Sequence, residues 1–245
     1  MNINKEILFG VMQGRLLPKY QGRYQAHPMG YWQKEFSLAA KLELNFIEFI
    51  LDFNDVEHNP LMHESGIEEI LILSQRSGVT VKTICADYFM EAPLHSPDDN
   101  ICHNSQQMLL KLIKHSAQLE VTDIVIPCVD HSSLADERGK LRFIENLKFA
   151  IEHAENFKIN LSLETDLAPT PFIALLEELK STRVTVNYDT GNSASLGYNP
   201  KKELSTYGRK ISDIHIKDRV YKGGPVSLGE GDTDFDAFIE ALKLI

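Results

Sequence analysis

The feature that most constrains this chain is a regular alternation of short apolar runs with longer amphipathic stretches. The apolar runs, rich in β-branched residues, are residues 7–12, 45–51, 79–86, 123–129, 160–163, 184–188 and 211–216. Several are apolar along nearly their whole length, which is typical of parallel strands covered on both faces. The pattern therefore predicts an α/β fold in which helices cover a parallel sheet.

The stretches between these runs have the periodicity of helices. One apolar face is formed by Phe143, Leu147, Ala150, Ile151 and Ala154, and another by Phe172, Leu175, Leu176 and Leu179. Thr170 and Pro171 predict a helix start, because a capping hydroxyl is followed by proline at the first helical position. Further helices are predicted at residues 32–44, 66–77, 103–119, 200–209 and 234–245.

Seven strand–helix units can be counted in 245 residues, close to the roughly 250 residues of a TIM barrel. The turn after the first strand, residues 10–15, does not match the glycine-rich dinucleotide fingerprint of an open Rossmann sheet. We therefore predict a TIM (β/α)8 barrel that lacks its eighth strand or is truncated before it. No linker-like segment divides the chain, so residues 1–245 are predicted to form a single domain. Such a barrel leaves a free edge between its first and seventh strands, through which a second copy could associate.

Composition excludes several classes of partner. The formal net charge of −10 disfavours phosphate backbones and anionic lipid, so neither nucleic acid nor membrane is expected as a partner. The three cysteines, Cys85, Cys102 and Cys128, have no paired spacing and predict reduced thiols in a cytoplasmic protein. Residues 1–10 do not resemble a signal peptide, and no apolar run approaches the roughly 18 residues of a membrane span.

Polar residues follow the later strands at the positions where a barrel carries its active site. Glu164 follows the fifth run, Asp189 the sixth, and His215 lies in the seventh. A single acidic residue there is more often a salt bridge or a helix cap, but three on consecutive strands can converge on one ion. Mixed oxygen and nitrogen donors suit Mn²⁺, Zn²⁺ or Co²⁺, with Mg²⁺ as a further candidate. We expect one divalent metal ion.

Four segments carry a family resemblance: LETD at 163–166, NYDTGN at 187–192, HIKDR at 215–219 and LGEGDTDF at 228–235. Their order and their placement after the fifth, sixth and seventh strands resemble the xylose isomerase-like barrel superfamily. That superfamily includes sugar-phosphate isomerases and epimerases, ketose 3-epimerases, inosose-type enzymes and the endonuclease IV nucleases. The resemblance covers nearly the whole chain.

The resemblance implies a role for each matching residue. Glu164 would be a metal ligand and an acid/base carboxylate, and Asp189 and His215 would be the next two ligands. Asn192 and Arg219 lie where relatives place substrate-contacting residues. The segment 228–235 leads into the last helix and is expected to be mainly structural.

Two further candidates come from position alone. Arg15, at the end of the first strand, is a candidate contact for a substrate or its phosphate. His131, in the loop after the fourth strand, is a candidate substrate contact. For both, a solvated loop side chain is the plainer interpretation.

These groups suit a metal-dependent isomerase or epimerase that acts on a small sugar or sugar phosphate through an enediolate. The metal would stabilise the enediolate, and Glu164 would take the proton next to the carbonyl. The resemblance implies a second glutamate, also the fourth ligand, at the end of an eighth strand, which this sequence does not show. Glu48, Asp87 or Asp130 could stand in for it.

Three alternatives remain. The first is a non-catalytic or degenerate sugar-binding barrel, since a fold does not guarantee activity. The second is an inosose-type enzyme, which needs the same metal set. The third, an apurinic endonuclease, fits poorly, because such relatives have a histidine where this chain has Asn192. They also carry an Asp-x-His pair where alignment on residues 229–231 puts Gly223 and Pro225.

Overall fold

Seven parallel strands form one sheet in the computed structural model, which describes residues 7–245. Their order in the sheet is their order in the chain, so each strand pairs with the next one along the sequence. The strands are β1 (Gly10–Met12), β2 (Phe46–Ile50), β3 (Thr80–Cys85), β4 (Asp123–Cys128), β5 (Asn160–Thr165), β6 (Val184–Asp189) and β7 (Ile211–His215). Within the described residues β1 and β7 are the two edges and do not pair with each other. A two-stranded antiparallel hairpin, β8 (Asp218–Arg219) with β9 (Pro225–Val226), follows β7.

Helices connect the successive strands. They are α1 (Lys34–Lys41), α2 (Glu64–Ser77), α3 (Tyr88–Glu91), α4 (Asp99–Gln118), α5 (Glu137–Phe157), α6 (Pro169–Leu179), α7 (Thr190–Leu196), α8 (Pro200–Tyr207) and α9 (Phe235–Leu242). Several begin at an acidic cap: the Asp98, Asp136 and Asp234 side chains accept backbone N–H groups in the first turns of α4, α5 and α9. These caps satisfy donors that have no partner within the helix.

The predicted fold class is confirmed: parallel strands in sequence order, with helices between them, are the arrangement of a TIM barrel. All seven predicted strands are present, although the first is shorter than predicted because residues 7–9 precede it. The predicted cap at Thr170 is wrong. Helix α6 begins two residues earlier, at Pro169 rather than Pro171, and follows Ala168, whose side chain makes no capping hydrogen bond. The short helices α3 and α7 were not predicted.

The core lies between the sheet and its helices. Phe143, Leu147 and Ala150 of α5 are fully buried, as are Leu175 and Leu176 of α6, which confirms the predicted apolar faces. All six residues of β4 and all six of β6 are buried. Both faces of these strands are therefore covered, as expected for a parallel sheet.

The three cysteines are free thiols, and each is buried. No helix in the described part of the chain is both long enough and apolar enough to cross a bilayer.

Candidate metal and substrate site

Three predicted ligands lie at the carboxyl ends of consecutive strands. Glu164 is the second-to-last residue of β5, while Asp189 ends β6 and His215 ends β7. The parallel register pairs Asp189 directly with His215. A cavity of about 1710 Å³ opens on this side of the sheet, and its walls include the three side chains.

The three side chains converge. Each offers one ligand atom, and these atoms all lie within 4.8 Å of one another. His215 Nδ1 is 3.6 Å from Glu164 Oε2 and 3.9 Å from Asp189 Oδ2. Donors bound at about 2.0–2.2 Å to one ion lie roughly 3–4 Å apart, so the spacing fits a single divalent cation.

The charges of this group are strongly perturbed. Burial, reinforced by the nearby Asp189 carboxylate, raises the pKa of Glu164 to about 7. Burial alone would lower the pKa of His215. The carboxylates of Glu48, Glu164 and Asp213 outweigh that effect and raise this pKa well above its usual value. A compact group of carboxylates competing for one imidazolium is an arrangement that a bound cation would relieve.

Two asparagines hold Glu164. Asn187 Nδ2 donates to Glu164 Oε2 at 3.0 Å and lies 3.1 Å from His215 Nδ1, while Asn192 Nδ2 donates to Glu164 Oε1. The Asn187 amide therefore contacts the same Glu164 and His215 atoms that a cation would take. Sequence reasoning missed Asn187, although its place two residues before Asp189 puts both side chains on the same face of β6.

The other ring nitrogen of His215 faces a second pair of carboxylates. Nε2 lies 2.8 Å from Glu48 Oε2, and Asp213 belongs to the same group of ligand atoms within 4.8 Å. Burial and the Glu48 charge raise the pKa of Asp213 to about 7. In the part of the chain that the structure describes, Glu48 Oε1, Asp213 Oδ2 and His215 Nε2 itself are buried without a hydrogen-bond partner.

Two cationic side chains line the cavity next to the proposed ligands. Arg219 Nη1 donates to Asn192 Oδ1 at 2.8 Å, and its other nitrogens donate to the Gly223 carbonyl. Lys217 Nζ lies 3.5 Å from Asp189 Oδ2. Asn192 thus links the guanidinium of Arg219 to the carboxylate of Glu164.

The segment after β8 is anchored to a single carboxylate. Asp218 accepts backbone N–H groups of Gly229, Gly231 and Thr233 at 2.9–3.1 Å. These bonds fix the chain between β8 and α9 and hold Arg219 at the cavity wall, in keeping with the structural role predicted for residues 228–235.

Arg15 and His131 also line the cavity. Arg15 is exposed, and its guanidinium makes no hydrogen bond or ion pair with residues 7–245. The exposed His131 lies beside Glu91, with Nε2 and Oε1 3.4 Å apart. Both side chains therefore line the cavity, and neither makes a hydrogen bond or ion pair with Glu164, Asp189 or His215.

The three residues that could replace the second glutamate, Glu48, Asp87 and Asp130, lie in different environments. Glu48 is buried and faces His215. Asp87 lines the cavity and accepts hydrogen bonds from Gln25 and Cys85, and burial raises its pKa. Asp130 is exposed in a 3-10 turn at the rim.

Comparison with known proteins agrees with this architecture. Residues 36–245 match the model of the xylose isomerase-like TIM barrel family. A Haemophilus influenzae protein, provisionally named L-ribulose-5-phosphate 3-epimerase SgbU, is 29% identical over 230 residues, covering 86% of this chain and 79% of that protein. The L-ribulose-5-phosphate 3-epimerase UlaE of Salmonella heidelberg is 25% identical over 223 residues, covering 86% and 78%.

Two solved structures show the same fold. A D-allulose 3-epimerase from Methylomonas sp., in complex with D-allulose, has a TM-score of 0.73 at 17% identity and covers 97% of this chain and 80% of that one. A xylose isomerase-like protein from Mycobacterium smegmatis, in complex with magnesium, has a TM-score of 0.72 at 18% identity, with coverages of 97% and 86%. With the family model matching most of its length, this chain belongs to the xylose isomerase-like TIM barrel family.

Proposed function

We propose that this chain is a divalent metal-dependent 3-epimerase of a small ketose or ketose phosphate. The observation that carries the proposal is the convergence of Glu164, Asp189 and His215 at three consecutive strand ends, with ligand atoms within 4.8 Å of one another. The names of the relatives support the reaction type, since both curated proteins and the D-allulose enzyme are 3-epimerases.

Glu164 is the proposed acid/base. Its raised pKa, about 7, lets the carboxyl group accept or hold a proton near neutral pH, as a general base requires. The hydrogen bonds from Asn187 and Asn192 fix the orientation of the carboxylate. A cation held by Glu164, Asp189 and His215 would polarise the substrate carbonyl and stabilise the charge that develops when the neighbouring proton leaves.

The substrate contacts are proposed from the walls of the cavity. Arg219 and Asn192 already form a hydrogen-bonded pair beside Glu164. Hydroxyl groups of a sugar bound there would contact the guanidinium of Arg219 and the side-chain amide of Asn192. Arg15 and His131 line the same cavity, and Arg15 is the candidate contact for a phosphate. Asp87 is the proposed acid for the opposite face, because it lines the same cavity and its pKa is raised.

Calorimetry with Mn²⁺ tests the metal site directly. We expect the wild type to bind one ion, and Glu164→Gln and His215→Ala to lose at least tenfold in affinity, because each removes a ligand. Glu178→Gln and His153→Ala, at exposed helix positions, are matched controls and should bind as the wild type does. A wild type that binds no divalent ion would refute the proposal.

Turnover is tested with L-ribulose 5-phosphate and D-allulose in deuterium oxide. We expect deuterium at C3 together with the 3-epimer, both visible by NMR, and neither with Glu164→Gln. Metal binding without exchange at C3 of either ketose would instead favour a sugar-binding barrel without catalysis.

A further inference from the structure

We propose that Glu48 is a positioning residue of this site. Its carboxylate on β2 holds the His215 imidazole so that Nδ1 faces Glu164 and Asp189. The inference deepens the proposed function and rests on the ligand set proposed there.

The two ring nitrogens of His215 face different partners. Nδ1 points to the proposed ligands, at 3.6 Å from Glu164 Oε2 and 3.9 Å from Asp189 Oδ2. Nε2 lies 2.8 Å from Glu48 Oε2, which is the shortest of these contacts; it is an ion-pair contact off the N–H direction, and Nε2 makes no hydrogen bond within the described residues. Because an imidazole is rigid and planar, a partner fixed at Nε2 also sets the direction of Nδ1.

The contact spans the interior of the barrel. Glu48 lies in β2, paired with Met12 of β1 on one side and Thr83 of β3 on the other, whereas His215 ends β7, at the opposite edge of the sheet. The two side chains meet only because both point into the interior. Glu48 is only 5% exposed, so its carboxylate takes little of its stabilisation from bulk solvent.

A carboxylate that contacts the ring nitrogen not bound to the metal has a defined effect on a metal-binding histidine. It keeps the proton on the nitrogen that it contacts and leaves the lone pair of the other nitrogen free for the metal. A buried carboxylate is costly without a charged or hydrogen-bonding partner, and here the His215 ring supplies one. Asp213 is a weaker candidate for the same role, because among the described residues the ring lies at ion-pair distance from Glu48, Glu164 and Asp189 but not from Asp213.

Co²⁺ binding, measured by calorimetry and by visible absorption, tests the proposal. We expect Glu48→Gln to weaken binding about 10- to 100-fold, as is usual when the partner behind a metal-ligating histidine is removed. Glu48→Ala should weaken it further, since glutamine keeps an oxygen that can accept from Nε2. The control is Glu203→Gln, a buried glutamate of α8 that accepts from Tyr188 and Tyr207. It should bind Co²⁺ within about twofold of the wild type.

Two readouts separate positioning from a merely structural role. The Co²⁺ absorption spectrum should shift in Glu48→Gln but not in Glu203→Gln, and ¹⁵N NMR of the metal-free protein should show a changed His215 Nε2 resonance in Glu48→Gln. Unchanged Co²⁺ affinity and spectrum in both Glu48 variants would overturn the proposal, even if their thermal stability fell.

Failure of the proposed function gives a different result. If the wild type binds no Co²⁺, the metal-dependent function falls, and the Nε2 resonance still decides whether Glu48 holds the ring. An Nε2 resonance that is the same in wild type and Glu48→Gln would then refute the Glu48 contact by itself.

Discussion

The segment that carries Arg219 into the cavity depends on the Asp218 carboxylate, and replacing it with asparagine should destabilise the protein measurably. Oδ2 of Asp218 accepts the N–H groups of Gly229 and Gly231, and Oδ1 accepts that of Thr233. Asparagine keeps one oxygen and puts an NH2 group where the other was, so at least one backbone donor loses its acceptor. The side chain is 1% exposed, so water replaces the lost acceptor poorly.

The hydrogen bonds set the expected magnitude, and the pKa of Asp218 gives its sign. A hydrogen bond to a charged group contributes about 1.5–3 kcal/mol, so the loss of one or two predicts a decrease of about 2–4 kcal/mol in the free energy of unfolding. The backbone N–H groups outweigh the effect of burial and lower the pKa of Asp218 from 3.8 to about 2. This lowered pKa agrees in sign with the hydrogen-bond argument, because it means that the ionised form is favoured in the folded protein.

The sign of the pH dependence follows from the same shift. Because the folded-state pKa lies below the unfolded one, the stabilisation is present above about pH 4 and is lost as the pH falls through about 2. The difference in stability between wild type and Asp218→Asn should therefore be largest near neutral pH and shrink in acid.

Urea denaturation at several pH values measures both effects. Asp236→Asn, at an exposed position of α9, is the control and should change the free energy of unfolding by less than about 0.5 kcal/mol. A similarly small change in Asp218→Asn at neutral pH would refute the anchoring role. So would a difference from the wild type that does not depend on pH.

Three further outcomes follow from the structure. Mn²⁺ affinity should fall at least tenfold per pH unit below 7, because Glu164, with its pKa of about 7, and His215, whose pKa is raised, must each lose a proton to bind. Calorimetry across this range checks it, and a constant affinity would contradict it. Phe143→Ala should lower the free energy of unfolding by about 3–5 kcal/mol because the ring is fully buried. The Phe157 side chain is 45% exposed, so Phe157→Ala should lower the free energy of unfolding far less; urea denaturation of both variants measures the difference. Gly66→Ala should lower the free energy of unfolding by about 1–3 kcal/mol, since the added Cβ would lie 2.3 Å from the Pro60 carbonyl oxygen. An unchanged midpoint in urea denaturation would contradict this prediction and show that α2 shifts to make room.

The strands and the three proposed ligands could be predicted because their signals are local. β4 and β6 are buried at every residue, so burial on both faces leaves a nearly continuous apolar run in the sequence. The polar residue that ends such a run stands out for the same reason. Asp189 was found in this way, although it also accepts the Asn192 N–H as the cap of α7.

The contacts around those ligands could not be predicted, because they join strands that are distant in the chain. Nothing in the sequence around Glu48 indicates that its carboxylate meets His215, 167 positions later. The contact follows from the curvature of the sheet. Helices α3 and α7 were missed for another reason: they have four and seven residues, too few to show helical periodicity.

Polar side chains inside this barrel fall into two groups with different hydrogen bonding. Nearer the amino ends of the strands, Ser162 bonds to Asp123, Thr185 and Ser212 at 2.8–2.9 Å, and Ser212 also bonds to Thr185. These hydroxyl groups satisfy one another, so a polar barrel interior does not by itself leave groups without partners.

Nearer the carboxyl ends, the pattern is different. Within the described residues, Glu48 Oε1, Asn187 Oδ1 and Asp213 Oδ2 are buried and without hydrogen-bond partners, and the pKa values of Glu164 and Asp213 are raised to about 7. Buried groups of this kind reduce stability unless something compensates for them. Since the Ser162, Thr185 and Ser212 hydroxyl groups one layer below satisfy one another, the charged groups without partners at the carboxyl ends support the metal and substrate site proposed above.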